Sequence, residues 1–376
     1  MAAVSSFSTT ITATAATGGQ RNPPPFLSKT LNPPNPSFLH LRSNQTLAPV
    51  SISITPQSSK KRASFSRIRA ASSSLDPDPG SLTHHSRTLK SRLAAGETLY
   101  GLFLLSFSPS LAEIAGLAGY DYVVVDMEHG PGGIAEALPC LRALAAAHTP
   151  AILRLPEPSA AWAKKALDLG PQGLMFPMIE TPADAELAVS YSRFPPRGVR
   201  GSAHTVVRAS AYGIDDGYLA RVEEELLVMC QVETVAGVAE IEAIAAVEGV
   251  DVVQMGPLDL SASMGYLWDP GNRKVREVMK DAERRVLGMR KKVVAAEAAA
   301  EGGSGERGPY LGGFAMPHDR PEDMKMRGYH MVAGAVDLGI FRQAVVEDVR
   351  RFRSAEVEIG EEDDEDEAKD EEYWSE

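Results

Sequence analysis

Between Thr88 and Arg353 the chain repeats one pattern eight times: a short run of β-favouring apolar residues, then a longer Ala-, Leu- and Glu-rich segment. The runs are TLYGLFLLSF (98–107), YVVVDM (122–127), AILRLP (151–156), GLMFPMI (173–179), LLVMCQVE (226–233), VDVVQMG (250–256), LGGFAM (311–316) and MVAGAVDL (331–338). Helical spacing fills the gaps, for example in IAEALPCLRALAAAH, SAAWAKKALDLG, TVAGVAEIEAIAAVEG and NRKVREVMKDAERRVLGMRKKVVAAEAAA. Strands that are apolar on both faces and alternate with helices imply a parallel sheet covered by helices. Eight such units predict an α/β fold of the (β/α)8 TIM-barrel type over residues 88–354. An open doubly wound sheet is the alternative, but no G-x-G-x-x-G follows the first strand. Two segments exceed the simplest barrel: the connection 197–222 and AEGGSGERGP (300–309), which reads as a surface insertion before the seventh strand.

The ends differ from this body in charge. Residues 1–75 hold eight Lys or Arg and no Asp or Glu, while 356–376 hold thirteen acids against Lys369. With +8 in the first segment and −12 in the last, the total of −12 leaves about −8 for the body. The first segment is rich in Ser, Thr, Ala and Pro and lacks a hydrophobic signal core, which is the composition of an organelle transit peptide. We read 1–70 as a chloroplast transit peptide directing the protein to the stroma, with processing near IRAA (68–71), and 71–87 as a linker. The competing reading is an ordinary disordered arm. Residues 355–376 read as an acidic, self-repelling disordered tail. An acidic body has no electrostatic footprint for nucleic acid, and no apolar run reaches the ~18 residues of a membrane span. Cys140 and Cys230 are the only cysteines, so there is no disulfide framework.

In a barrel, chemistry gathers where strands end at their carboxyl side. Asp126, Glu128 and His129 end the second run, Arg154 the third, Gln231 and Glu233 the fifth, and GPLDLSAS, carrying Asp259, follows the sixth. Glu233 and Asp259 make an all-oxygen pair suited to Mg²⁺ or Mn²⁺, with room for water and substrate oxygens. Each could equally cap its following helix. Arg154 after an apolar strand needs an anion, either a substrate carboxylate or enolate, or an ion pair with Asp126 or Glu128. His129 could serve as a general base or as a structural hydrogen-bond donor.

The motifs YDYVVVDMEHGPGG, ILRLPEPSAAWAKKALDLGPQGLMFPMIETPADAELAV, RFPPRGVRGSA, CQVETVAGVAEIEAIAAVEGVDVVQMGPLDLSASMG and MVAGAVDLGIFRQA resemble the HpcH/HpaI aldolase family, here in a plant plastid form. These are class II, metal-dependent pyruvate aldolases of the phosphoenolpyruvate/pyruvate barrel superfamily, and the resemblance spans roughly 88–350. It implies His129 as catalytic base, Arg154 as the enolate stabiliser, and Glu233 and Asp259 as ligands of Mg²⁺, Mn²⁺ or Co²⁺. Gln231 would bind substrate together with the amides around Gly256, Pro257, Leu258 and Asp259, and Asp126 and Glu128 would support the site. The implied reaction is retro-aldol cleavage of a 4-hydroxy-2-oxo acid to pyruvate and an aldehyde, without a Schiff-base lysine. Loops at 130–133 and 204–217 would choose the aldehyde.

The resemblance also makes Asp168 the residue that raises the basicity of the histidine. Asp168 precedes the fourth strand and so belongs to the barrel floor, whereas His129 lies on the opposite rim, about 20 Å away for a strand of ~6 residues. We therefore expect Asp168 to act on His129 of a neighbouring subunit, in keeping with the hexamer of swapped dimers that the family implies. Two rival functions stand beside this one: a lyase of the citrate-lyase or malyl-coenzyme A type, and a non-catalytic plastid barrel that binds a keto acid.

Overall fold

The computed structural model describes residues 87–299 and 309–354. The expected transit peptide, most of the linker, the insertion at 300–309 except its last residue, and the acidic tail lie outside the described residues. Eight strands form a closed, all-parallel barrel in sequence order: β1 (Leu99–Leu104), β2 (Tyr122–Asp126), β3 (Ala151–Arg154), β4 (Gly173–Phe176), β5 (Leu227–Val232), β6 (Val252–Met255), β7 (Tyr310–Phe314) and β8 (Met331–Val336). Around them run α1 (Leu89–Ala94), α2 (Pro109–Ala118), α3 (Ile134–Ala146), α4 (Ala160–Asp168), α5 (Pro182–Ser192), α6 (Tyr218–Glu225), α7 (Val235–Ala239), α8 (Ile241–Ala245), α9 (Pro257–Ser263), α10 (Arg273–Ala299) and α11 (Pro321–Arg327). A last helix continues β8 over 337–354. No described helix is long and apolar enough to cross a membrane.

The two-residue period of a strand divides each apolar run between two cores. Leu99, Phe103, Tyr122, Val124, Ile152, Met175, Leu227, Met229, Val252, Tyr310 and Met331 fill the barrel interior. Their neighbours Leu102, Leu104, Val123, Val125, Leu153, Leu174, Val228 and Val253 pack outward under the helices. The same parity carries upward. Asp126 continues the Tyr122–Val124 series, Arg154 follows Ile152, and Gln231 and Glu233 follow Met229, so these polar side chains share the inner face at the carboxyl mouth.

Three features depart from the sequence reading. The segment TVAGVAEIEAIAAVEG is two short helices, α7 and α8, that meet at Glu240. The connection 197–222 holds a 3-10 turn at Arg208–Gly213 and then α6. A short helix, α1, precedes the first strand and plugs the floor: Leu89 and Leu93 are fully buried in the inner core. Thr88 caps α1 by accepting from Ser91 N–H, and the Leu89 amide donates to Gln172 Oε1 at 3.0 Å, tying the plug to the turn before β4.

Because Leu93 closes the interior against solvent, Leu93→Ala should cost about 2–5 kcal/mol through lost burial and a residual cavity. Urea unfolding followed by far-UV circular dichroism checks this, and a midpoint within error of the parent would show that α1 is not part of the core.

Candidate active site

The carboxyl mouth is organised by one buried ion pair. Asp126 and Arg154 are register partners across β2 and β3, so their inward side chains meet. Arg154 Nε donates to Asp126 Oδ1 at 2.9 Å and its Nη2 to Oδ2 at 2.5 Å, a two-bond fork. Asp126 is fully buried and Arg154 nearly so. Oδ1 also accepts from the amides of Glu128 at 3.0 Å and His129 at 3.4 Å, and this fixes the turn that leaves β2. Glu128 Oε2 sits 2.8 Å from Arg154 Nη1, in ion-pair contact but without hydrogen-bond geometry. Of the two readings open for Arg154, the structure contains the ion pair. Two of its five N–H groups are committed to Asp126, and its Cζ lies 5.0 Å from the centroid of the Phe103 ring.

Across the mouth, Glu233 follows β5 and is 1% exposed. Met178 N–H donates to its Oε1 at 2.9 Å, and Gln231 Nε2 donates to its Oε2. Gly256, the N-cap of α9, crosses directly above: a Cβ there would lie 2.4 Å from Glu233 Oε2 and 2.6 Å from its Cβ. Only glycine lets this backbone pass so close to the carboxylate. Asp259 stands in the first turn of α9, exposed to the mouth. Pro257, one of the residues expected to bind substrate through amides, has no N–H, so only Leu258 and Asp259 of that turn offer unpaired helix-start amides.

Burial pushes the Glu233 carboxyl up to about 7; the Met178 and Gln231 donors oppose this, and the charges of Glu128 and Asp259 add to it. Burial likewise pushes Glu128 up to about 7, against the pull of Arg154 and with help from Asp126 and Asp259. Three carboxylates thus repel one another in a small volume. Gln231 Oε1 is a buried acceptor with no donor among the described residues. Such crowded oxygen acceptors, with no sulfur or imidazole among them, fit a hard divalent cation such as Mg²⁺. No three His, Cys, Asp or Glu side chains among the described residues converge closely enough to hold an ion alone. Glu233 and Asp259 would hold it as a pair, with the remaining positions open to water or substrate.

His129 is exposed beside this cluster, and its ring makes no hydrogen bond among the described residues. Asp168 is not part of the cluster. It ends α4, at the amino-terminal side of β4, where burial raises its carboxyl against the pull of Arg200, Lys165 and Lys164. Sequence reasoning missed Met178, whose contribution is a backbone amide at φ 51°. It also missed Phe103 beneath Arg154; the only signal was its inward parity in β1.

A barrel with an acid-rich carboxyl mouth and a fork-paired arginine defines a class of enzyme-like sites, and sequence comparison narrows it. The model of the HpcH/HpaI aldolase/citrate lyase family matches residues 99–344, and the chain belongs to that family. It is 41% identical over 215 residues to a hydroxypyruvate/pyruvate aldolase of Deinococcus radiodurans, covering 57% of this chain and 78% of that protein. It is 34% identical over 269 residues to a 2-keto-3-deoxy-L-rhamnonate aldolase of Escherichia coli K12, covering 72% and 94% respectively. The crystal structure of an HpcH/HpaI aldolase/citrate lyase family protein from Burkholderia cenocepacia J2315 superposes with a TM-score of 0.63 at 37% identity. That match covers 71% of this chain and 100% of the other.

A cation held by Glu233 requires that carboxyl as an anion and favours ionisation of the nearby Glu128, so its affinity should rise as pH climbs through about 7 and binding should release protons. Mg²⁺ titration calorimetry at roughly pH 6.5 in two buffers of different ionisation enthalpy should give buffer-dependent heats that converge by about pH 9. Equal heats at both pH values would contradict the arrangement. Without the cation, both raised carboxyls favour the folded state at acid pH and withdraw that stability as pH rises through about 7.

Proposed function

We propose that this chain is a metal-dependent carbon–carbon lyase, a class II pyruvate aldolase that cleaves a 4-hydroxy-2-oxo acid to pyruvate and an aldehyde. The observation that carries the reading is the mouth itself: buried Glu233, the acceptor of Gln231, Asp259 and the Asp126–Arg154 fork face one volume at the ends of β2, β3, β5 and β6. Family membership and the names of the two relatives support it. Mg²⁺ is the preferred metal, with Mn²⁺ and Co²⁺ as alternatives, on the hardness of the oxygen set.

Glu233 and Asp259 would hold a divalent cation, which would supply Lewis acidity toward a bound oxo acid. His129, on the exposed turn that Asp126 fixes, takes the proton of the 4-hydroxyl, directly or through a water. The bond between carbons 3 and 4 then breaks, the aldehyde leaves, and the electron pair becomes the enolate of pyruvate. Arg154, held by Asp126, places its positive charge where that enolate oxygen develops. Protonation at carbon 3 completes pyruvate. The amides of Leu258 and Asp259 bind the substrate carboxylate at the start of α9.

We also propose a homo-oligomer, a hexamer by resemblance. The helix over 337–354 is exposed along nearly its whole length, with Leu338, Ile340, Phe341, Val345, Val346, Val349 and Phe352 between 40% and 67% exposed. An apolar helix with no packed face calls for a second copy to cover it. Asp168, on the floor of its own barrel, would act on His129 of the neighbouring subunit. Import into the chloroplast stroma is proposed from the basic, acid-free composition of residues 1–70.

Protein lacking residues 1–70, assayed with a panel of 4-hydroxy-2-oxo acids and Mg²⁺, Mn²⁺ or Co²⁺, should release pyruvate. Glu233→Gln should lower that turnover more than about 100-fold. Turnover that survives both chelation and Glu233→Gln would sink the proposal. Phe341→Glu with Val345→Glu should shift the species to smaller mass in light scattering and reduce activity, and Asp168→Asn should lower kcat in an intact oligomer. Full activity in a monomeric Asp168→Asn protein would remove the intersubunit role.

A further inference from the structure

Asp337 follows β8 directly and opens the helix over 337–354, and it is 6% exposed. Both carboxylate oxygens are spent on backbone amides. Oδ1 accepts from Leu105 N–H at 2.9 Å and from Leu338 N–H at 2.8 Å, and Oδ2 accepts from Ser106 N–H at 3.0 Å. One side chain therefore clamps the start of the β1–α2 loop to the end of β8, some 230 residues later in the chain. The β1–β8 seam is also where the register slips, between Gly101 and Leu102, before pairing resumes at Leu102–Ala335 and Phe103–Val336.

The far side of the same loop is pinned too. Ser106 Oγ accepts from Ser108 N–H at 3.2 Å, and Ser108 Oγ accepts from Leu111 N–H at 3.3 Å as the N-cap of α2. Between these anchors Phe107 adopts a left-handed φ of 53°, costly for a bulky side chain. The conformation lays its ring against the turn after His129. A Cβ on Gly130 would lie 2.4 Å from Phe107 Cε2 and 2.8 Å from Leu105 O, and one on Gly132 would lie 2.7 Å from Phe107 Cδ1 and Cγ. The ring packs with the outer core under the helices and lies outside the inner core, so it acts as a buttress behind the turn.

We infer that Asp337 and Phe107 are positioning residues for His129: the carboxylate fixes the 105–108 loop, the loop fixes the ring, and the ring fixes the 129–133 turn from behind. Asp126 holds the front of that turn through the Glu128 and His129 amides, so His129 is set by two clamps from different strands. The inference rests on the reading of His129 as the base. Glu233 and Asp259, which arise from β5 and β6, are not touched by this relay.

Asp337→Asn keeps the shape but turns one acceptor into a donor facing an amide, and Phe107→Ala removes the ring. Each should lower kcat roughly 10–100-fold, with Mg²⁺ affinity and KM within about twofold of the parent. Each should also move the acid limb of the kcat–pH profile, which a loss of folded protein alone would not do. Phe107→Leu, which keeps a buttress, should recover most of the rate, and Phe107→Ala should partly rescue Gly132→Ala. Hydrogen exchange on the same full-length proteins gives a readout that does not need turnover: Asp337→Asn should raise deuterium uptake over both 105–108 and 127–133. Raised uptake at both segments in a protein that turns over no oxo acid would uphold the relay while refuting the aldolase reading. Unchanged uptake at 127–133, or a kcat per folded protein within twofold of the parent in Phe107→Ala, would overturn the inference; this second variant decides the matter if Asp337→Asn does not fold.

Discussion

The Asp126–Arg154 fork is the constraint on which the mouth of this barrel depends. Both groups are buried, and neither charge could remain there alone: removing one partner of such a pair typically costs about 3–5 kcal/mol. Together they join β2 to β3 at the rim, and the same carboxylate shapes the turn that carries Glu128 and His129. A hydrophobic pair of equal volume would close the barrel as well or better, but it would leave no positive charge at the mouth. The fork thus joins two strands and shapes the turn after β2 within one set of hydrogen bonds.

Against that fixed positive charge the protein sets an excess of negative charge. Burial raises the proton affinity of Glu128 and Glu233, and neighbouring carboxylates add to it: Asp126 and Asp259 for Glu128, and Glu128 and Asp259 for Glu233. Repulsion of this kind is unfavourable for the empty protein and favourable for a protein that must capture a small dication, because binding relieves it. The Gly256 backbone passes close over Glu233, and the Met178 amide and the Gln231 side chain hold one carboxylate oxygen each, so the orientation of Glu233 is set from both oxygens.

Much of this was legible in the chain before folding was considered. All eight strands fall within or one residue beyond their apolar runs, because a parallel strand buried on both faces leaves an unbroken apolar signature. Asp126, Arg154, Gln231 and Glu233 were visible as polar residues at the ends of those runs, where a barrel must turn its side chains into the mouth. Less was legible where the signal is short or carried by the backbone. The floor plug α1 spans six residues, too few for a periodic pattern, and the break at Glu240 sits within an otherwise continuous helical sequence. The Met178 amide carries no residue-type signal at all.

What the sequence determined by itself is local and periodic: eight strands with inner and outer faces, the helices between them, and the order in which polar residues reach the rim. Local periodicity decides these because a strand repeats every two residues and a helix every 3.6. Only the tertiary structure decided the pairings. The β2–β3 register set Asp126 opposite Arg154 and resolved an ambiguity that composition could not. Closure of the barrel brought Asp337 to the amides of Leu105 and Ser106. Those outcomes depend on contacts between residues distant in sequence, whose energies exist only once the ring of strands is complete.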